Sequence, residues 1–237
     1  MGAVVLLRDV TDLRSRDRML LSKDATIREI HHRVKNNLQT IAALLRLQGR
    51  RLRTSEAQEA IEESERRIRS IAIVHETLSH DAADVVAFAE VIRPLVRVVE
   101  ETVSTPDVRL EFDVDGDAGN LRGDIATPLA VVLSELMQNA VDHAFPRDGD
   151  GPVKGHVQVR LARESGQLTV DVVDDGVGLP AGFTLEESKG LGLSIVQVLV
   201  DGELDGSLEL GPTEGPEDPG TRAHVRLPLA PDPPDGG

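Results

Sequence analysis

Two apolar stripes in the first third of the chain constrain its fold more than any other feature. Over 24–48, Ile27, Ile30, Val34, Leu38, Ile41, Leu44 and Leu45 recur at steps near three and four. That spacing makes an amphipathic helix with one buried side. Gly49 and Thr54 loosen the chain, and Ser55 is placed to cap a second helix. The second helix carries Ala57, Ile61, Ser64, Ile68, Ile71, Val74 and Leu78 on one side. Two such helices across a short turn form an antiparallel hairpin. A lone hairpin leaves its apolar stripe half covered, and pairing with a second copy closes a four-helix bundle. A homodimer is therefore expected.

The flanking segments set the domain organisation. Residues 1–10, "MGAVVLLRDV", read as one strand. A single strand cannot bury both faces, so it is expected to be the C-terminal remnant of an upstream domain. "VVLLRDVTDLR" resembles the exit of a PAS sensory domain. Thr11 is placed to cap a helix leading into the hairpin, and that helix is expected to transmit sensor rearrangement into the bundle. These patterns predict a dimerising helical hairpin over 11–81, a second domain of mixed strands and helices over 82–230 and a disordered tail over 231–237. Within the second domain, 85–103 reads as a helix with Pro94 a kink or boundary. Residues 108–114 alternate as a strand, and 126–145 form a strongly apolar helix. "HVQVRLAR" and "QLTVDVVDD" make a hairpin across "ESG", glycines open a helix in "GLGLSIVQVLVDGE", and "GSLELG" pairs with "TRAHVRLPL". Strands and helices alternate without regular βαβ spacing. The fold class is therefore α+β, a helical hairpin followed by an α/β sandwich with helices on one sheet face.

Charge and composition remove several function classes. The net charge of −15 repels a phosphate backbone, and aromatics are 2 % of residues with no Trp or Tyr. Neither electrostatics nor stacking supports nucleic-acid binding. The absence of Cys excludes disulfides and thiolate metal sites and fits a reducing cytoplasm. No apolar run reaches the roughly 18 residues needed to cross a membrane.

Three segments of the second half point to one ligand class. In "ELMQNAVDH", Glu135 and Asn139 lie four apart and share a helical face. An Asn carbonyl suits Mg²⁺ already carrying phosphates, while Glu135 either holds a metal-bound water or orients the nucleophile. In "DVVDDGVGLP", a strand delivers Asp174, and Gly176 and Gly178 turn the chain so that a flat ring can approach the backbone. A carboxylate there accepts the exocyclic amine of adenine and repels the carbonyl of guanine. In "SKGLGLSIV", Gly190, Leu191 and Gly192 open a helix whose free N–H groups suit phosphate. The stretch between Gly178 and Gly190 is then expected to act as a lid. No P-loop pattern occurs.

In order and spacing these motifs resemble the GHKL ATPases, which include histidine kinases, gyrase, large heat-shock chaperones and MutL-type proteins. The resemblance implies that Glu135 and Asn139 serve Mg²⁺-ATP, that Asp174, Gly176 and Gly178 form the adenine site, and that Gly190 and Gly192 belong to the lid. It also implies that Thr221 in "GTRAHVRLPL" lies beside the adenine pocket. One departure is Asp142, where family members often carry Lys. Neutralising the phosphates then falls to His143, Arg147 or Lys189.

"EIHHRVKNNLQTIAALLRLQ" and "SERRIRSIAIVHETL" resemble the phosphoacceptor hairpin of the HisKA_2 histidine kinases, related to the HWE group. With Ile27 at heptad position a, His31 falls at e beside the seam and His32 at f facing solvent. A phosphoacceptor must meet ATP and then a receiver aspartate, which favours His32. A neutral imidazole is a competent nucleophile at cytosolic pH. His31 and His75 read as packing residues, and His80, His156 and His224 have no supporting neighbours in sequence. Arg33 follows His32 where commoner histidine kinases place an acid, and Glu29 is a candidate base. Asn36, one turn after His32, is a candidate for positioning water in phosphatase chemistry. The resemblance extends to actinobacterial two-component sensor kinases. It implies a response regulator with a receiver domain, and such partners often carry an RNA-binding ANTAR output domain.

Overall fold

The computed structural model describes residues 30, 33–78, 85–103, 108–146, 152–185, 191–213 and 219–229. The strand expected at 1–10, the helix from Thr11, His31, His32, His80, Arg147, Lys189, Gly190 and the tail lie outside the described residues.

Helix α1 (residues 33–49) and helix α2 (Ser55–Leu78) form the expected hairpin. Lys35 pairs with Glu76, and Arg46 bonds Glu65 at 3.0 Å, so the two helices run antiparallel. The cap lies one residue earlier than expected. Ser55 is the first helical residue, and the Thr54 carbonyl takes the Gln58 N–H at 3.1 Å. The single apolar stripe expected on α1 divides in two. Ala42 is buried and Val34, Leu38 and Leu45 are half-buried, whereas Ile30, Ile41, Leu44 and Leu47 are 53 %, 44 %, 54 % and 55 % exposed. One edge packs within the chain and the other faces out.

The segment 85–103 departs from its expected helix at the start. Val85–Ala87 is strand β1, and helix α3 begins at Ala89 and ends at Val103. The Phe88 carbonyl accepts N–H groups of Val91 and Ile92 at 3.0 and 2.9 Å, which opens the helix there. Pro94 neither ends nor divides α3. Its missing N–H falls opposite the carbonyl of Glu90, an exposed residue of the first turn that solvent can reach. Strand β1 pairs antiparallel with β3 (Asn120–Arg122).

The main sheet has strand order β2-β4-β5-β7-β6, built from β2 (Val108–Gly116), β4 (Val153–Glu164), β5 (Gln167–Asp174), β6 (Ser207–Pro212) and β7 (Thr221–Pro228). Only β2 and β4 run parallel. The turn between β4 and β5 is two residues, Ser165 and Gly166, both with positive φ, so Glu164 stays in the strand. This primed geometry matches the twist of the paired strands. Inward residues such as Val157, Val159, Ala223, Val225 and Leu227 are buried beneath helices. Outward residues on the same strands, including Arg160 and Arg226, are exposed. Period-two alternation thus produces one helix-covered face and one polar face.

Helices α3, α4 (Gly123–Asn139) and α5 (Leu191–Gly202) belong to this domain. The expected helix 126–145 stops as an α-helix at Asn139 and widens into a π-helical turn over Ala140–Ala144. Helix α2 packs on α4, and its fully buried Val74 joins the same core as α3, α4 and the sheet.

Candidate nucleotide site

The end of α4, the end of β5, the start of β7 and the start of α5 enclose a cavity of about 540 Å³. Val172, Leu210 and Ala223 supply its sheet side, and Leu136 and Leu193 its helix side. The slot is apolar in the middle and polar at its ends, as a flat heterocycle carrying a charged tail requires.

Asp174 marks one end. It is 5 % exposed, and its Oδ1 accepts the N–H groups of Gly176 at 3.0 Å and Thr221 at 3.1 Å. Burial pushes its carboxyl above the ordinary carboxylate range, and the bonds from Thr221 and Gly176 pull it partly back. Gly178 has φ +76°, and a Cβ there would lie 1.9 Å from the Pro219 carbonyl oxygen. Only glycine lets the chain pass this close to the neighbouring segment. The Val177 N–H bonds the Ala144 carbonyl at 2.9 Å. That bond ties the glycine loop to the π-helical turn and fixes Asp174 relative to α4.

The other end gathers Glu135 and Asn139 of α4. Asn139 and His143 both line the cavity. A Cβ on Gly192 would lie 2.9 Å from Glu135 Oε2 and 3.5 Å from Asn139 Oδ1, so the first turn of α5 closes directly on this polar pair. Asn139 Nδ2 is a buried donor with no partner among the described residues. Its carbonyl suits a hard cation and its amide suits a phosphate oxygen, so the pair of atoms fits Mg²⁺ carrying phosphates. Among the described residues no three His, Asp or Glu side chains form a metal cage.

Glu135 is 4 % exposed and is held by a side chain the sequence does not associate with it. Arg67 of α2 donates to both of its oxygens, from Nε at 2.9 Å and from Nη2 at 3.1 Å. Burial raises the Glu135 pKa, and the Arg67 guanidinium works against that rise.

Of the expected site residues, Asn139, His143, Asp174, Gly178, Gly192 and Thr221 line the cavity, with Gly176 and Glu135 immediately behind it. Leu191 is the first residue of α5. Asp142, at the position of the family lysine, is exposed and accepts from Gln138 at 2.9 Å rather than entering the cavity. Of the three phosphate-neutralising candidates, His143 reaches the cavity, and Arg147 and Lys189 lie outside the described residues. Asn36 is exposed on α1. His156 and His224 acquire partners that sequence separation conceals, Asp113 at 2.8 Å and Asp171 at 2.6 Å. Residues without a sequence signal for this site are Arg67 and Glu63. Their four-residue spacing reads as an ordinary helix-surface ion pair.

Two family models match. Residues 29–103 match HisKA_2, a histidine kinase model, and 124–231 match the histidine kinase-, DNA gyrase B- and HSP90-like ATPases. The sensor histidine kinase PdtaS of Mycobacterium tuberculosis is 49 % identical over 228 residues, which is 96 % of this chain and 44 % of that protein. PdtaS of Mycolicibacterium smegmatis is 49 % identical over 229 residues, 97 % of this chain and 44 % of its own length. The chain thus spans less than half of these curated relatives. The histidine kinase domain of the blue-light activated kinase EL346 of Erythrobacter litoralis superposes with a TM-score of 0.61 at 26 % identity, covering 88 % of this chain and 96 % of that one. With a HisKA_2 hairpin at its front and a gyrase- and HSP90-like ATPase fold enclosing the Asp174 cavity, the chain belongs to the histidine kinases.

Proposed function

We propose that this chain is the catalytic core of a cytoplasmic two-component sensor kinase that moves the γ-phosphoryl group of ATP to His32 and from there to a receiver aspartate. The observation that carries the reading is the buried Asp174 carboxylate at one end of an apolar slot, with Asn139 and Gly192 at the other and His143 in the lining. Adenine enters the slot with its exocyclic amine donating to Asp174. Asn139 and Glu135 are the residues that would hold Mg²⁺ through the phosphates. The cation supplies charge neutralisation on the transferred group. His143 lies where a positive or hydrogen-bonding group can meet the phosphate tail, and Lys189 and Gly190 are assigned to the lid.

In the transfer, an imidazole nitrogen of His32 attacks the γ-phosphorus. The N–P bond forms as the bond to the β,γ-bridging oxygen breaks, ADP leaves, and the imidazole proton passes to a base, for which Glu29 is the candidate. The work of the protein is positioning and charge stabilisation. In the second step an aspartate of a response regulator takes the phosphoryl group, and an ANTAR output on that regulator is the partner the family resemblance favours. Exposed Asn36 is assigned to positioning the water that hydrolyses the regulator's phospho-aspartate, releasing inorganic phosphate.

We assign the hairpin to 11–81 and the ATP-binding domain to 82–230, because α3 and β1 pack into the sheet domain. The outward edge of α1, with Ile41, Leu44 and Leu47, together with exposed Ile30 ahead of it, is the surface we assign to a homodimeric four-helix bundle. Incubation with γ-labelled ATP tests the reading. Label that is lost in acid and kept in alkali supports phosphohistidine. Label with the opposite stability indicates a serine kinase on the same nucleotide fold and overturns it.

A further inference from the structure

The hairpin places two side chains against the phosphate end of the cavity. Arg67 grips the Glu135 carboxylate with two bonds, and the same guanidinium bonds Glu63 one turn earlier on α2. All three are largely removed from solvent, with side-chain exposures of 14 % for Arg67, 18 % for Glu63 and 5 % for Glu135. Glu63 does more than complete a helix-surface pair. Its Oε1 lies 3.4 Å from the Cβ position of Gly192, between the corresponding approaches of Glu135 at 2.9 Å and Asn139 at 3.5 Å. A carboxylate from the hairpin therefore stands at the first turn of α5, in the corner that the proposed site reserves for phosphates.

The electrostatics of this corner oppose its proposed ligand. Glu63, Arg67 and Glu135 together carry one net negative charge when ionised. A triphosphate brings further negative charge to the same place, and like charges in a partly desolvated site repel strongly. Arg67, the guanidinium bonded to Glu135, is already committed to two carboxylates. At the Asp174 end, among the described residues, no side chain of the hairpin lines the slot.

We propose that Glu63 and Arg67 form an autoinhibitory latch in which the docked α2 helix closes the triphosphate corner while leaving the adenine end accessible. The inference rests on the nucleotide reading above and extends it. Entry of Mg²⁺-ATP displaces Glu63 from Gly192 and frees Glu135 from Arg67, so nucleotide binding and hairpin release are one event. Any rearrangement of α2 that moves Glu63 outward raises triphosphate affinity without touching the base site. Linkage makes the coupling reciprocal.

Glu63→Gln tests this directly, because it keeps the shape and a bond to Arg67 while removing the charge. Dissociation constants for Mg²⁺-ATP and for adenosine are measured by calorimetry on the wild-type chain and the variant. The latch predicts Mg²⁺-ATP binding tighter by about tenfold in Glu63→Gln, with adenosine affinity changed less than about twofold. A parallel hydrogen-exchange measurement on the wild-type chain should show α2 amides around Glu63–Arg67 exchanging faster with saturating Mg²⁺-ATP, and unchanged with adenosine. Mg²⁺-ATP affinity equal to or weaker than wild type in the variant overturns the latch alone. Failure of both proteins to bind Mg²⁺-ATP or adenosine overturns the nucleotide reading and the latch with it.

Discussion

Asp174→Asn is the sharpest single perturbation of the nucleotide site. Asp174 Oδ1 already accepts the backbone N–H groups of Gly176 and Thr221 at 3.0 and 3.1 Å. In the variant the amide oxygen must keep that role, because an NH₂ group cannot accept from those donors. The NH₂ then takes the position of the second carboxylate oxygen, where it faces the adenine amine donor to donor. A hydrogen bond to a charged group is worth about 1.5–3 kcal/mol. Losing it weakens ATP binding by about 10- to 150-fold at 1.4 kcal/mol per factor of ten. The same exchange should relax base selection, since the NH₂ can donate to the carbonyl of inosine triphosphate. Titration calorimetry with both nucleotides measures the two effects. Stability should move the other way. Burial raises the Asp174 pKa, so the ionised form is disfavoured by folding, and stability falls as pH rises from the unfolded-state pKa through the folded-state value. The neutral amide removes that penalty, and the variant's thermal midpoint at pH 7 should equal or exceed wild type. ATP affinity within about twofold of wild type, or an unchanged preference over inosine triphosphate, would refute the placement of adenine against Asp174.

Further expectations concern backbone, charge and assembly. Gly178→Ala puts a Cβ 1.9 Å from the Pro219 carbonyl oxygen at φ +76°, and the dihedral alone costs about 1–2 kcal/mol. Thermal unfolding should begin at least a few degrees earlier, and an unchanged midpoint would contradict the loop geometry. Asp171 is pushed upward by burial but held below the ordinary carboxylate range by Arg222 and His224. Its contribution is therefore present above the unfolded-state pKa and lost as pH falls through the folded one. Asp171→Asn should be less stable at neutral pH and show a flatter decline between about pH 5 and 2 in chemical denaturation. Leu44→Glu, on a side chain 54 % exposed, should leave the fold intact and shift sedimentation from two chains to one. A variant that remains dimeric would remove the outward edge of α1 from the interface.

The parts of this molecule legible in the sequence are those governed by local rules. The α1 and α2 stripes show because a helix that buries one side must repeat every three to four residues. Asp174, Gly176, Gly178 and Gly192 show because tight backbone approaches demand glycine in short, ordered patterns. Asn139 shows through its four-residue spacing to Glu135, and Thr221 only through the resemblance to the GHKL ATPases. The features that escape have causes spread along the chain. Strands β1 and β3 have three residues each, too few for a visible period, and β1 hides at the front of an apolar helical pattern. The parallel pairing of β2 with β4 joins segments separated by α4, which no local pattern records. The π-helical turn after Asn139 leaves the composition of a helix unchanged. The Arg67–Glu135 pair spans 68 residues, and each partner alone reads as an ordinary helix charge. The division of the α1 stripe into a packed and an open edge needs the position of α2, which periodicity does not supply.

The central claim joins the Asp174 cavity to an imidazole on the hairpin, and phosphoryl capture tests that link most directly. Wild type, His32→Gln and Asp174→Asn are incubated with γ-labelled ATP and Mg²⁺, and acid-labile protein-bound label is counted. The account predicts label on wild type, none on His32→Gln and strongly reduced label on Asp174→Asn. Undiminished acid-labile label on His32→Gln would contradict it.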